Sequence, residues 1–600
     1  MKANQNIRNK NMLLWVLMFS AVAFVSPFVF AIICPPTVLT DDFIIPADRI
    51  RCQFGILGSL LIQFVLLFLI LWRVKQDQVL AINQFVATKM IGWFAILSVA
   101  VFSLYLFLFT FSAEWSLFSA DQDVTNVSTA INGTELTDIL PTPYVASGSS
   151  RSFLAHHFSP SILIFLPVYK VASFFESANY NTYNIALALT LMSGLLLWYY
   201  YLYRSLSLFH LLLPLSLVPL AHSFLFFRQI VSFHFEVLTL PLMALLLLSI
   251  RLKDRTDLAK PADWLRRSWP IIVILYLGIK EDVGVYLGIF AGIQFLFEFK
   301  DWRRVELIGS VKRRLHFSLI AKFVSQSIYF RIGIISVLWV GFAMIARVWL
   351  AGDQATDWQS YWNVESYLEA YPQFRKTPHT YFWILLSSGV WIFFSLRSTF
   401  VVAVILMFHV VSGMPWHALL ESHYSYTVLP FFMAGSIRGL SNIERSIISG
   451  RFNFRTGIFL FFLGTLITDY SLLREKNQPF PLFRQNPLYE SIHDMMKLVP
   501  AGACVQSSFH LSALVPLRAR PIPLGYYEGS PYNNTMPKSE FLSNYNRKTG
   551  ECKELYRFLY TEPMSAELKK EIENDGKIIA DADDKIFLWR WNYGNSNENL

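Results

Sequence analysis

Lys280, Glu281 and Asp282 place three consecutive charged side chains inside an apolar run, between residues 269–279 and 283–299. A charge at bilayer depth costs at least ~2.5 kcal/mol unless it is paired or faces water. Such a triplet is therefore either a site or a hairpin tip whose charges touch headgroups or one another. A second cluster is Phe233-His234-Phe235-Glu236. Its imidazole and carboxylate stand two residues apart, so they diverge on a helix and share a side in an extended turn. Pro241 follows at the expected middle of a span, where it would kink a helix and free backbone carbonyls. His423-Tyr424, preceded by Trp416, His417 and Glu421, forms a third cluster, and His156-His157-Phe158-Ser159-Pro160 a fourth. Upstream of the fourth lies Asp121-Gln122-Asp123, whose spacing lets two carboxylates converge on a divalent cation and a phosphate. The plainer reading of that tripeptide is a solvated acidic loop.

The elements that must position these residues follow from composition. Hydrophobic residues make up 54% of 600 positions, charged residues 16%, and the mean hydropathy is +0.41. Soluble chains carry about 25% charge, so this is a polytopic membrane protein. The net charge of +9 sits in short loops between apolar stretches, the positive-inside pattern, and calls for no nucleic-acid partner. The basic start at Lys2, Arg8 and Lys10 leads into an apolar run at 12–33, read as an uncleaved first helix rather than a signal peptide.

With a spanning length of roughly 17–25 residues, about thirteen crossings are expected, near 12–33, 54–72, 91–111, 181–203, 206–227, 234–250, 269–280, 283–299, 332–350, 381–396, 398–413, 424–440 and 456–469. Loops holding Arg73 and Lys75, Arg204, Arg251–Arg267, Lys300–Arg314, Arg397 and Arg438–Arg455 fall on the cytoplasmic side. Residues 34–53, 112–180, 228–233, 351–380, 414–423 and everything after 470 fall outside. Residues 161–169 are too short to cross and read as a helix lying at the interface. All the candidate clusters then map to one face of the membrane, as a shared polar cavity would require.

Three parts result: an N-terminal helix pair over 1–90, a transmembrane module over 91–469 with its large outer loop 112–180, and an outer domain over 470–600. The last is polar and carries strand-like pieces at 503–508 and 585–591 with helical patterns at 489–498 and 565–574, which suggests a small α/β domain. It would grip an acceptor, cap the cavity or brace the spans. Cys34 and Cys52 flank one outer loop and Cys504 and Cys552 share the tail, so two disulfides are permitted, with free buried thiols the alternative.

The strings HHFSPSILIFLPVY, FHFEVLTLPLMALLL, IKEDVGVYLGIF and HYSYTVLPFF, in that order, resemble the membrane-protein family catalogued as domain-of-unknown-function 2079. That family is grouped with the C-type (GT-C) integral-membrane glycosyltransferases. Its HFSP, FHPE-like and KEDV segments correspond to residues 157–160, 233–236 and 280–283, with Phe235 replacing the family's proline. The resemblance covers roughly 91–440. It implies a GT-C-like helical fold and an inverting transfer of sugar from a polyprenyl-phosphate carrier to an unidentified acceptor. The site would lie in a multi-pass protein of a bacterial inner membrane, with the N-terminus cytoplasmic and the C-terminal domain periplasmic. By this resemblance Asp121, with Asp123 second, is the catalytic carboxylate or a ligand of Mg or Mn. Lys280 meets the leaving phosphate; His156, His157, His234, Glu236, Glu281, Asp282, His423 and Tyr424 complete the substrate site. A transporter or flippase would also bury charges between spans, and a non-catalytic assembly protein would keep the fold without needing Asp121 and Lys280 together.

Overall fold

The computed structural model describes residues 49–73, 157–175, 178–206, 233–252, 260–309, 317–351, 390–410, 424–475, 488–507, 514–523, 554–560, 576–582 and 586–591, with a few isolated positions between them. The helices are α1 (Arg49–Arg73), α2 (Leu166–Ala172), α3 (Tyr183–Ser205), α4 (Thr239–Leu252), α5 (Lys260–Arg267), α6 (Trp269–Leu277), α7 (Val283–Gly309), α8 (Phe317–Gln326), α9 (Ile328–Ala351), α10 (Leu396–Val410), α11 (Tyr424–Ile448), α12 (Phe454–Glu475) and α13 (Tyr489–Lys497). Short 3-10 turns at Pro160–Phe165, Tyr180–Thr182, Phe235–Leu238 and Val390–Phe394 lead into α2, α3, α4 and α10.

Among the described residues four stretches are long and apolar enough to cross a membrane: Tyr180–Ser205, Phe235–Leu252, Val283–Arg304 and Ile328–Leu350. They coincide with four of the expected crossings. The expected crossings at 12–33, 91–111 and 206–227 lie largely or wholly outside the described residues; of 381–396 the structure describes 382, 385 and 390–396, where the 3-10 turn Val390–Phe394 precedes α10.

The crossing expected at 269–280 is built differently. Helix α6 has only nine residues, about 13 Å of rise against a core of ~30 Å. The Ser268 amide donates to the Trp264 carbonyl at 3.1 Å and the Ile272 amide to the Ser268 carbonyl at 3.0 Å, so α6 continues the charged helix α5. From Arg267 to Lys280 the rise is roughly 20 Å, which leaves the triplet short of a full crossing and inside the bundle. Pro241 lies inside the stretch Phe235–Leu252, where the 3-10 turn passes into α4. It occupies the first turn of α4, where the change from 3-10 to α geometry accommodates a residue without an N–H.

Contacts sort the loops into two ends. At one end Arg251 donates to the Ser205 hydroxyl at 2.7 Å, Arg397 pairs with Asp301, Arg438 donates to Gln294 at 2.8 Å, and the Ser441 hydroxyl reaches the Ser205 carbonyl at 3.3 Å. Except for Gln294, which lies within the crossing 283–299, these residues lie in or beside loops assigned to the cytoplasm. At the other end an antiparallel bridge joins Asn179 to Pro516, with the Leu517 amide donating to the Ala178 carbonyl at 2.9 Å and the Tyr180 amide to the Val515 carbonyl at 3.3 Å. The outer loop and the tail therefore share one side of the membrane.

The tail carries five strands, β1 (Cys504–Ser507), β2 (Arg520–Pro523), β3 (Leu555–Tyr560), β4 (Gly576–Ala582) and β5 (Ile586–Trp591), in the order β2-β1-β3-β5-β4. Strand β1 pairs in parallel with β2 and β3; β5 pairs antiparallel with β3 and β4. Buried Cys504 is disulfide-bonded, its partner lying outside the described residues. Cys34 and Cys552 also lie outside them, as does the side chain of Cys52.

Candidate functional site

The centre is built on the break between α6 and α7. Gly278 closes α6, and a Cβ there would meet the Ser161 hydroxyl at 2.6 Å. That bare backbone lets the Ser161 amide donate to the Gly278 carbonyl at 2.8 Å while the Ser161 hydroxyl donates to the Leu275 carbonyl at 2.7 Å. Phe158 anchors the same segment on α9, its ring 5.8 Å from Trp339 and 5.6 Å from Phe342. Pro160 opens the 3-10 turn. The His-Phe-Ser-Pro string thus presents His157 to the triplet.

The triplet's neighbours face different partners. Lys280 is 5% exposed and donates from Nζ to the Glu236 carboxylate at 3.2 Å. It also lies 5.2 Å from the centre of the Tyr424 ring, a cation–π contact. Glu236, fully buried in the 3-10 turn before α4, takes its other bond from the His234 imidazole. His234 has extended backbone and caps the 3-10 turn that holds Phe235 and Glu236, and at this junction its ring meets the Glu236 carboxylate. The segment is fixed from behind: the Phe233 amide donates to the Asn184 side-chain oxygen at 2.7 Å, and the Phe233 ring meets Phe165 edge-on at 4.7 Å.

Glu281 serves the other half. Its carboxylate accepts from the Phe158 amide at 3.0 Å, contacts His157 Nδ1 at 3.1 Å, and accepts from Arg347 at 3.4 Å. Burial first, and then the Lys280 and Arg347 cations, hold His157 well below the ordinary imidazole range. A neutral ring that donates from Nδ1 to a carboxylate carries its lone pair on Nε2. The His157 side chain is 28% exposed and Arg347 13%, so this half lies nearer solvent than Lys280 and Glu236. The Asp282 carbonyl accepts the Val285 and Tyr286 amides and so starts α7.

The structure brings together His157, His234, Glu236, Lys280, Glu281 and Tyr424. His156, His423, Asp121 and Asp123 lie outside the described residues. Arg347 was not anticipated. It stands near the end of an apolar span, where a long basic side chain reads as a flank reaching for the interface; a charge within a span was the signal available. Among the described residues no three His, Cys, Asp or Glu side chains converge where they could hold a metal ion.

These features define an integral membrane protein with a buried, ion-paired polar centre at one end of its helical bundle. The model of the predicted membrane-protein family DUF2079 matches residues 125–547, more than two thirds of the chain, which therefore belongs to that family. The match begins later than the expected 91–440 and runs on into the tail. No curated protein matches the chain. Two solved structures of ArnT from Cupriavidus metallidurans are similar to it at 11% identity. One is bound to undecaprenyl phosphate; it covers 84% of this chain and 98% of its own, with a TM-score of 0.40. The other is in the apo state, with 83% and 98% covered and a TM-score of 0.42.

Proposed function

We propose that this chain is a membrane glycosyltransferase that moves a sugar from a polyprenyl-phosphate carrier to an acceptor on the side of the membrane bearing the C-terminal domain. The observation that carries the reading is the pair of cations, Lys280 and Arg347, held inside the bundle by Glu236 and Glu281 beside a neutral His157. Buried charges of this kind cost stability and are kept for work on a polar ligand. The family's grouping with C-type glycosyltransferases agrees with it.

In the transfer, an acceptor hydroxyl oxygen bonds to the anomeric carbon while the bond from that carbon to the phosphate oxygen breaks. The leaving electron pair stays on the phosphate, and the hydroxyl proton passes to a loop carboxylate, for which Asp121 is first choice and Asp123 second. Arg347, the more exposed cation, makes the first phosphate contact with its fixed fork of donors. Lys280 then exchanges its contact with Glu236 for the developing charge on the leaving group, where charge-assisted bonds are strongest. Glu236 keeps its bond from His234. Mg or Mn at the outer-loop aspartates would add charge neutralisation.

The test is transfer from a panel of radiolabelled polyprenyl-phosphate sugars by the purified protein in lipid, beside Asp121→Asn, Arg347→Gln and Lys280→Ala. Transfer that disappears in all three, with folding intact, supports the reading. Activity surviving only in Asp121→Asn moves the base to Asp123. Carrier-independent transport, or neither turnover nor carrier binding by the parent, overturns it.

A further inference from the structure

We propose that the seam between α2 and the C-terminal domain binds an anionic glycerophospholipid of the leaflet on which that domain sits. The site is separate from the polar centre and stands whether or not the transferase reading holds.

Two cavities meet at Phe175. One, about 480 Å³, is lined by Tyr169, Ser173, Lys497, Leu498 and Arg518 among others. Here the Arg518 Nη2 donates to the Lys497 carbonyl at 3.0 Å, while its Nε–H is shut away from water without a hydrogen-bond acceptor among the described residues. Arg518 also lines the cleft, where its guanidinium can donate to an anionic oxygen. Lys497 lies at the cleft with Asp494 beside it at 2.7 Å, and Lys170 stands 5.5 Å from the centre of the Tyr169 ring. Two cations, Arg518 and Lys497, line the cleft against the single carboxylate of Asp494, and Lys170 stands next to the lining residue Tyr169, so the cleft is positive.

The second cavity, about 610 Å³, is a groove of Pro167, Val168, Val171, Ile185 and Leu189, with His493 from α13 at its rim. Beside the two cavities Val171 is 60% exposed, Phe174 84% and Leu498 50%. Apolar side chains offered this openly next to basic ones are how an interfacial helix beds into the boundary between headgroups and acyl chains. A positive cleft and an apolar groove joined at one phenylalanine fit an amphiphile: the phosphodiester at Arg518 and Lys497, the acyl chains along Val171 and Leu189. A soluble anion would use the cleft and leave the groove to water.

The full chain, purified in a neutral detergent, is titrated with dioctanoyl phosphatidylglycerol, dioctanoyl phosphatidylcholine, inorganic phosphate and a short polyprenyl phosphate, with thermal unfolding and native mass spectrometry as readouts. Phosphatidylglycerol is expected to bind and raise the melting temperature at concentrations where phosphatidylcholine and phosphate do not. Arg518→Gln is expected to weaken that binding by about tenfold and the exposed-site double variant Lys170→Gln/Lys497→Gln by about threefold, in line with losing charge-assisted bonds. The double variant keeps the test valid if Arg518→Gln fails to fold. Equal binding of the two phospholipids, equal stabilisation by phosphate, preference for the polyprenyl phosphate, or parent-like binding by the double variant would overturn the proposal.

Discussion

Two ion pairs in this molecule have the same chemistry and opposite weight. Lys280 and Glu236 meet at 3.2 Å with side chains 6% and 0% exposed, whereas Lys497 and Asp494 meet at 2.7 Å with 63% and 72% exposed. The shorter pair is the weaker one. In water the attraction is screened and partly offset by the entropy of holding two long side chains still. Inside the bundle each ion has given up its hydration, so the pair itself adds little net stability, yet losing one partner strands the other. Solvent, more than distance, ranks them. A pair kept at that expense inside a membrane protein is the reason the proposed transfer is placed at Lys280 and Glu236.

Lys280→Met tests that contrast most severely. It leaves Glu236 buried beside a thioether and should cost about 3–5 kcal/mol of stability, with transfer activity lost. The double variant Lys280→Met/Glu236→Leu should recover most of the stability in chemical unfolding and none of the activity. A double variant no more stable than the single would mean that the pair is not a unit.

Gly278→Val comes next. A side chain there must displace Ser161, and overpacking of this kind costs about 1–3 kcal/mol. Activity should fall with stability, because the same contact aims His157. Gly278→Val matching the parent in both would separate the α6–α7 break from the site.

A smaller effect is expected from acid. His157 is held below its ordinary pKa when folded, and the unfolded chain returns it to ~6.5. The unfolded state then takes up the proton first as the pH falls, so this contribution to stability is whole above pH ~6.5 and shrinks below it. Melting temperatures of the parent minus those of His157→Gln should hold level from pH 8 to 6.5 and drop beneath. A difference that stays flat throughout would show that His157 does not couple to folding. The smallest effect belongs to the exposed pair: Lys497→Ala should leave the melting temperature in detergent without added lipid where it was.

What could be read from sequence divides along similar lines. The triplet stood out because charge in an apolar run is a violation, whereas the His-Glu pair, expected to converge in an extended turn, meets where an extended His234 enters a 3-10 turn. The partners could not be read. Lys280 reaches Glu236, 44 positions away, and Glu281 reaches Phe158, 123 positions away, so only the packed bundle reveals which cation meets which carboxylate. Arg347 was hidden by its resemblance to an ordinary basic flank. In the tail, β1 and β5 announced themselves by composition, while β2 reads Arg-Pro-Ile-Pro, a sequence that argues against a central strand. It survives because β2 is at the sheet edge, where missing amide donors cost little. The short rise of α6 followed from continuity with a charged helix, which a search for apolar length does not register.

The bridge from Asn179 to Pro516 also sets an order of assembly. During synthesis the stretch leading into α3 emerges more than three hundred residues before its bridging partner. Domains generally fold in order of emergence, but this seam must wait until nearly the whole chain has been made and the tail has reached the side on which Asn179 lies. A ribosome-bound chain halted after α12 would hold its spans and still lack the clasp over Ala178 and Tyr180. Protease accessibility at that loop would therefore report completion of the protein rather than insertion of its helices.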